Sequence, residues 1–400
     1  MGKMELEDRV SRFIENEGLF KKRDTICAAV SGGPDSMALL YILFRLSAKW
    51  EWKIVAAHLN HQFRGRESER EMELVRRFSG DLGLPCEIGV ADVPAYIRDA
   101  GKNPQAAARE KRYEFLLNAA QKHGADKIAL AHHADDQAET LMMRLIRGTG
   151  PSGLAGIPVR RKEGNVELIR PLMRIYKQEL LDYCGKWNIP YLEDTSNRSR
   201  KYFRNAVRLD ILPFIRQYNH KFEASLNRLA DLMAGEDEFM RLCAQETIEK
   251  IGKWEAGGYC FSRSSFSALH IALQRRVITL ILNYLWKDQE TGQPPWQYAD
   301  VEEIRFRIIQ NRNPSTSLEL CQGIRLEREY DQLRLTYTPK GEVSPFFYLI
   351  PPFEHGGGDF KIPETGGMFR YRVIQLEEQC RPMSSPHKAE AFFDLDRLCL

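Results

Sequence analysis

The 400-residue sequence has no C-x-x-C pair; its eight cysteines (Cys27, Cys86, Cys184, Cys243, Cys260, Cys321, Cys380 and Cys399) are scattered singly. That scatter excludes a zinc knuckle and a dithiol redox pair. Most of these cysteines sit in apolar runs, as small core residues of a reducing compartment do. A signal-like start is missing, since "MGKMELEDRV" is charged. Long hydrophobic runs are missing too. "VITLILNYLW" (277–286) is too short to span a bilayer and carries an asparagine, so it reads as a buried helix. Neither sign of charge dominates: 58 Lys and Arg against 55 Asp and Glu give a net +3. This excludes a histone-like polycation and leaves room for local basic patches. No repeat of fixed period and no long low-complexity tract occurs. With 43% hydrophobic and 28% charged residues, the chain is expected to form two or three globular domains in the cytoplasm, with no membrane partner.

What is present first is an alternation of short apolar strands with amphipathic helices. "TICAAV", "KIVAAHLN" (53–60), "CEIGVAD" (86–92) and "KIALAHH" (127–133) read as strands. Helices are expected over Asp35–Trp50, Glu67–Leu82, Pro104–Lys122 and Ala134–Arg147. Strands separated by helices of this length predict right-handed crossovers and an α/β fold, a Rossmann-like parallel sheet covered on both faces. Ligands of such sheets bind beyond the carboxyl ends of the strands. "SGGPDS", "HLNHQFR" and "HHADDQAET" all fall there. After about residue 215 the pattern changes. A long helix over Phe222–Gly252 is followed by helices in "SSFSALHIALQRRVITLILNYLW" and "QYADVEEIRFRII", then by the alternating meander "SLELCQGIRLEREYDQLRLTY". The expected division is a catalytic domain over 1–215, a linker helix with a mainly helical domain and small β meander over 216–338, and a β-rich region over 345–400. "YTPKGEVSP" reads as the linker before that region, whose "FFYLIPPF", "FRYRVIQLEE" and "AEAFFDL" lean toward strand. The glycine-rich "PPFEHGGGDF" reads as a mobile loop.

The glycine turn "SGGPDS" (31–36) lacks the lysine of a Walker loop, and its spacing is not that of a dinucleotide fingerprint. Glycines still open the backbone to a ligand, Pro34 suits the first helical position, and free N–H groups at the helix start attract an anion. Taken alone, the same six residues also make an ordinary turn and helix start, with Asp35 favourable in the first turn. An aspartate beside polyphosphate makes sense if it faces Mg²⁺, which bridges the two anions.

"HHADDQAETLMMRLIRG" starts at the end of the fourth strand. Leu141, Met142, Leu145 and Ile146 are its expected buried stripe, while Asp136, Glu139 and Thr140 share another face near the N-terminus. Two histidines, three acids and a threonine there exceed what helix capping requires. "HLNHQFRGRESERE" gives His58 and His61 metal-like spacing without a third ligand nearby, and Arg64 is suited to phosphate. "AAAREKRYEFL" puts Arg109, Arg112 and Tyr113 on one helix. In "EDTSNRSRKYFRNAVRLDILP" (193–213), Arg198, Arg200, Lys201, Arg204 and Arg208 are interleaved with Tyr202 and Phe203, a mixture suited to RNA phosphates and unpaired bases, though a solvated helix face has the same composition.

The glycine turn resembles the signature of the PP-loop ATP pyrophosphatases. That resemblance implies that Ser31, Gly32, Gly33, Pro34, Asp35 and Ser36 hold the β- and γ-phosphates of ATP while the α–β bond is cut. Taken with "HLNHQFR", "AREKRY", "HHADDQAETLMMRLIRGTGPSGLAGI", "IRPL" and "EDTSNRSRKYFRNAVR", in this order over about residues 25–213, the chain resembles the tRNA(Ile) lysidine synthetase family. The resemblance implies ATP-dependent joining of free L-lysine to carbon 2 of the wobble cytidine of tRNA(Ile) with a CAU anticodon. It implies catalytic roles for Asp35, His133, Asp136 and Glu139, contributions of His58 and Arg112 to ATP binding, and Mg²⁺ on Asp35 and Asp136. Arg200, Lys201, Arg204 and Arg208 would meet the tRNA. A homodimer is compatible with this scheme. Relatives continue into an R-x-x-G-D-like stretch, so the last β-rich domain is expected to be truncated. A PP-loop tRNA thiolase and a non-catalytic nucleotide-sensing RNA binder are the rival readings.

Overall fold

A computed structural model of the chain describes residues 5–63, 65–193, 200, 202–255, 257–286, 296–310, 315–320, 323–337, 357–361 and 368–372. These fall into two units, Met1–Tyr337 and Thr338–Leu400.

The first unit opens with α1 (Leu6–Glu17) and then alternates β1 (Thr25–Ala29), α2 (Pro34–Trp50), β2 (Lys53–Asn60), α3 (Arg66–Asp81), β3 (Cys86–Val90), α4 (Val93–Ala100), α5 (Pro104–Lys122), β4 (Lys127–Ala129) and α6 (Ala134–Arg147). Helix α7 (Pro151–Leu154), the hairpin β5 (Arg160–Glu163) and β6 (Val166–Ile169), and α8 (Lys177–Lys186) complete this part. The six strands lie in the order β3-β2-β1-β4-β6-β5. All neighbours are parallel except the edge pair β5–β6. A purely alternating βα reading captures the parallel core. It misses the antiparallel edge because "RRKEGNVELI" is short and half charged, a pattern shared with loops. The last parallel strands are shorter than expected, β3 ending at Val90 and β4 at Ala129.

Side chains of β1 alternate between two layers, as period-2 geometry requires. Ile26 and Ala28 pack with α1, α2, α3 and α8 through Ile14, Leu39, Leu43, Val75 and Leu180. Cys27 packs on the other face against Leu116, Ala119 and Ala120 of α5. Helix α2 is apolar almost all round because it is buried among neighbours, and α5 starts cleanly because Asn103 accepts the Gln105 N–H (2.9 Å) with Pro104 next in line.

Beyond the sheet come α9 (Phe203–Ala206), a π-helical turn over Val207–Ile211, α10 (Leu212–Arg216) and the long α11 (Phe222–Ile251). Leu226 and Ala230 of α11 pack on Ala138, Leu141 and Met142 of α6. Ala244 and Ile248, near its other end, belong to a second core. Around that core lie β7 (Gly252–Glu255), β8 (Gly258–Ser262), α12 (Arg263–Ser267), α13 (Ile271–Trp286), α14 (Tyr298–Gln310), β9 (Ser315–Glu319), β10 (Ile324–Glu329) and β11 (Gln332–Tyr337), with its buried residues drawn from α11 to α14, β8, β10 and β11. Its antiparallel sheet runs β7-β8-β11-β10-β9, so the expected meander is extended by a hairpin at 252–262. The segment read as one helix over 264–286 is two. The break is closed by Gln274, whose amide donates to the carbonyls of Phe266 (3.4 Å), Ser267 (3.4 Å) and Leu269 (3.0 Å).

In the second unit, β12 (Gly357–Lys361) pairs antiparallel with β13 (Met368–Arg372). Gly357–Phe360, expected in a mobile loop, therefore lie in a strand. "FFYLIPPF", "AEAFFDL" and the linker after Tyr337 fall outside the described residues.

Candidate active site

Strand order reverses between β1 and β4, because β2 and β3 lie to one side of β1 while β4 and β6 lie to the other. At such a switch point the two following loops part and leave a crevice beyond the carboxyl ends. Ser31–Ser36 follows β1 and His132–Asp136 follows β4, so the sequence clusters meet there.

The β1 loop is tied internally. Ser36 Oγ accepts the Ser31 N–H (3.0 Å) and donates to the Gly33 carbonyl (3.0 Å), and the Ser31 and Ser36 hydroxyls are 3.0 Å apart. Gly32 stands at φ +90°, in the left-handed region, and its carbonyl accepts from Leu192 N–H (3.0 Å). A side chain there would be strained whatever the space. Gly33 is the N-cap, and no side chain caps α2. The first turn of this helix therefore faces the crevice without a side-chain acceptor of its own, an arrangement suited to anions.

The β4 loop brings charge. His133 is 4% exposed and ringed by carboxylates: its Nε2 lies 3.7 Å from Asp35 and 3.5 Å from Asp136, and its Nδ1 lies 3.4 Å from Asp135. Burial opposes the imidazolium, but the Asp135, Asp35 and Asp136 carboxylates packed around the ring outweigh it, pushing the pKa up to about 10. Burial would raise Asp35; His133 and Lys177 more than offset it and hold its pKa below the usual value. Lys177 Nζ donates to both Asp35 oxygens, at 2.6 and 2.7 Å. Asp136 also accepts the main-chain N–H of His133 (3.0 Å), which fixes the start of α6.

Glu139 is 1% exposed, yet it is fully paired. Arg204 Nε donates to its Oε2 (2.7 Å) and Arg208 Nε to its Oε1 (2.5 Å), while Arg204 also reaches Asp136 Oδ1 (2.7 Å). The π-helical turn begins between the two arginines, a feature that often marks functional sites. Arg204 and Arg208 thus cover the crevice carboxylates rather than standing free. Leu145 and Ile146, expected in the buried stripe of α6, are 43% and 49% exposed, because the covered stripe (Ala134, Ala138, Leu141, Met142) ends a turn earlier.

A PP-loop domain model matches residues 3–215, which spans this whole arrangement. The tRNA(Ile)-lysidine synthase of Geobacillus kaustophilus is 35% identical over 86% of this chain and 73% of its own length. The chain belongs to the tRNA(Ile)-lysidine synthase family. A further relative of that name from Bacillus cereus is 37% identical over 85% of this chain and 71% of its own. Another, from Bacillus subtilis, is 35% identical over 85% and 72%.

Of the other residues singled out for this lysidine synthase site, His58 is buried within β2, with Nδ1 2.8 Å from the Val30 carbonyl and Nε2 unpartnered. Arg112, exposed on α5, has no ion-pair partner among the described residues. Arg200 lies away from the carboxylates and pairs with Asp210 (3.0 Å). Arg64, Arg198 and Lys201 fall outside the described residues. Among the described residues no group of three His, Cys, Asp or Glu side chains is arranged to hold a metal ion. Asp35 and Asp136 both lie beside His133 Nε2, with the Asp35 oxygens held by Lys177 and Asp136 Oδ1 by Arg204. Residue-by-residue reading counted Asp135 among the three acids of its cluster without giving it a role, and missed Lys177 and Arg170. Asp135 binds the Lys177 main-chain N–H (2.8 Å), and buried Arg170 donates to the Pro158 carbonyl (2.7 Å). "IRPL" and "YKQEL" give no local sign of chemistry; only the β6–α8 crossover brings them to the crevice.

Proposed function

We propose that this chain joins free L-lysine to carbon 2 of the wobble cytidine of tRNA(Ile) bearing the CAU anticodon, converting ATP to AMP and pyrophosphate. The observation that carries this reading is the junction, at one switch point, of an uncapped glycine-turn helix with a carboxylate cluster around His133. A carbonyl oxygen leaves poorly. Adenylation of the cytidine 2-oxygen turns it into a stabilised leaving group, which the lysine ε-amine then displaces.

In this scheme Ser31, Gly32, Gly33, Pro34 and Ser36 grip the polyphosphate, with Arg112 and His58 at its flank. Asp35 and Asp136 would hold Mg²⁺, which would supply charge neutralisation between phosphate and carboxylate. His133, whose imidazolium form the surrounding carboxylates favour, stabilises charge on the α-phosphate. Asp136 and Glu139 receive the lysine ammonium in exchange for Arg204 and Arg208. The exchange matters because lysine's amine has a pKa of roughly 10.4, so only about one molecule in a few thousand is neutral at pH 7. Carboxylates beside it favour the charged form further, so proton loss must be coupled to attack. Splaying a base out of a single-stranded anticodon loop costs only a few kcal/mol. Arg200, Lys201, Arg204 and Arg208 are the basic groups that would meet the RNA around it, and the region after 216 would hold the rest of the tRNA. The site of work is the cytoplasm.

A tRNA thiolase is disfavoured because sulfur transfer commonly uses paired cysteines and this sequence has none in C-x-x-C spacing. One assay decides between these readings. Incubated with ATP, Mg²⁺ and the isoleucine tRNA, the protein should place only lysine, from a panel of radiolabelled amino acids, into RNA. Sulfur incorporation, or no incorporation with no pyrophosphate release, would reject the proposal.

A further inference from the structure

The glycine turn has no lysine of its own, and the fold brings one to it from 142 residues away. Lys177 opens α8. Its main-chain N–H is anchored on Asp135 Oδ2 (2.8 Å), and α8 is seated against α2 through buried Leu180, Tyr183 and Cys184, with the Cys184 thiol 3.6 Å from the Pro34 carbonyl. The attachment point is therefore fixed, while the side chain is 36% exposed. An ammonium carries three donors. Two go to Asp35, in the first turn of α2, and no third acceptor is present among the described residues.

We propose that Lys177 is the phosphate-binding lysine of this turn: its ammonium is shared between Asp35 and the diphosphate that departs from ATP. The inference rests on the ATP reading above and adds a residue to it. A carboxylate in the first turn of α2 would repel an incoming polyphosphate and weaken the anion site that the helix start provides. Lys177 cancels that charge and keeps a third donor for the phosphate. A compact ammonium suits the task because it can contact two anions at once, whereas a planar guanidinium would be committed to the carboxylate in a bidentate fork.

The test is a double-mutant cycle on full-length protein, with inorganic pyrophosphate titrated calorimetrically in the absence of divalent metal. Lys177→Ala should weaken pyrophosphate binding at least tenfold, and the same loss should persist in an Asp35→Asn background. Adenosine binding should change less than twofold. Lys177→Met, which keeps the aliphatic stem, should behave as Lys177→Ala does, with an unchanged melting temperature. If the loss disappears in the Asp35→Asn background, Lys177 only neutralises Asp35 and the proposal is overturned. Equal pyrophosphate affinity in Lys177→Ala and unmodified protein also overturns it. Failure of unmodified protein to bind either pyrophosphate or ATP would instead bring down the ATP reading, and this inference with it.

Discussion

Around the ends of β1, β2, β4 and β6 the chain buries Ser36, His58, Asn60, His133, Gln137, Glu139 and Arg170. The second core, from Ala244 to Leu335, buries Tyr259, Phe261, Phe266, Val277, Ile278, Ile281, Leu282 and Ile304 just as deeply. Among the buried polar residues described there, Gln274 stands alone, and its amide group is spent on closing a helix break. Both regions exclude water, but only the second gains by it throughout. Burying ions costs free energy that pairing recovers only in part, so a buried ionic cluster is weak evidence for stability and better evidence for chemistry. The second core follows the ordinary rule of apolar burial at about 25 cal/mol per Å². The contrast assigns work to one region and support to the other.

Three experiments bear on that contrast. The largest effect is expected at Asp35. Asp35→Ala should lower the rate of lysine transfer on the order of 10²–10³-fold, as loss of an electrostatic stabiliser does, with little change in melting temperature. Full activity would remove Asp35 from the reacting region. Next in size, Ile278→Ala in the second core should destabilise the fold by about 2–5 kcal/mol in urea unfolding while leaving pyrophosphate affinity within twofold. A parallel fall in pyrophosphate affinity would show that the two regions are not separable.

The smallest effect is a difference in sign between adjacent histidines. Burial, with Arg170, Arg112 and Arg204 nearby, pushes His132 down to about 4, although Asp136 pulls the other way. Between roughly pH 6.5 and 4 the unfolded chain takes up a proton there that the folded chain refuses, so stability falls with acidification. His133 is the reverse: raised to about 10, it contributes stability that is fully present below about pH 6.5 and lost as pH rises through 10. His132→Gln should therefore flatten the acid side of the urea-midpoint profile, and His133→Gln should lower the profile most below pH 6.5. Identical profiles for the two variants would contradict the charge arrangement described.

Much of this could be seen in the residues alone. Strand β2 and helices α5 and α6 lie where apolar runs, Asn103-Pro104 and the glycine after Arg147 put them. The glycine turn and the His133–Glu139 cluster also announce themselves locally, as polar residues crowded at strand ends. Lys177 and Arg170 do not. Each sits in a stretch with an ordinary surface-helix or turn composition, and its significance comes from a crossover that brings distant residues within hydrogen-bond reach. The roles of Arg204 and Arg208 were half legible: composition marks them as suited to RNA, but only the packing of the π-helical turn on α6 shows them holding Glu139.

Helix α11 has a mechanical consequence. Its 30 residues make a rod about 45 Å long by the usual rise. One end is pinned at the crevice, where Asn227 donates to the Ala134 carbonyl (3.2 Å), and farther along Asp237 is clamped to Arg276 of α13 (2.6 Å). A small tilt imposed at the remote core would arrive at the base of α6 as a displacement of the very turn that carries Asp135 and Asp136. The turn at the crevice and the remote core are thereby joined through one unbroken helix.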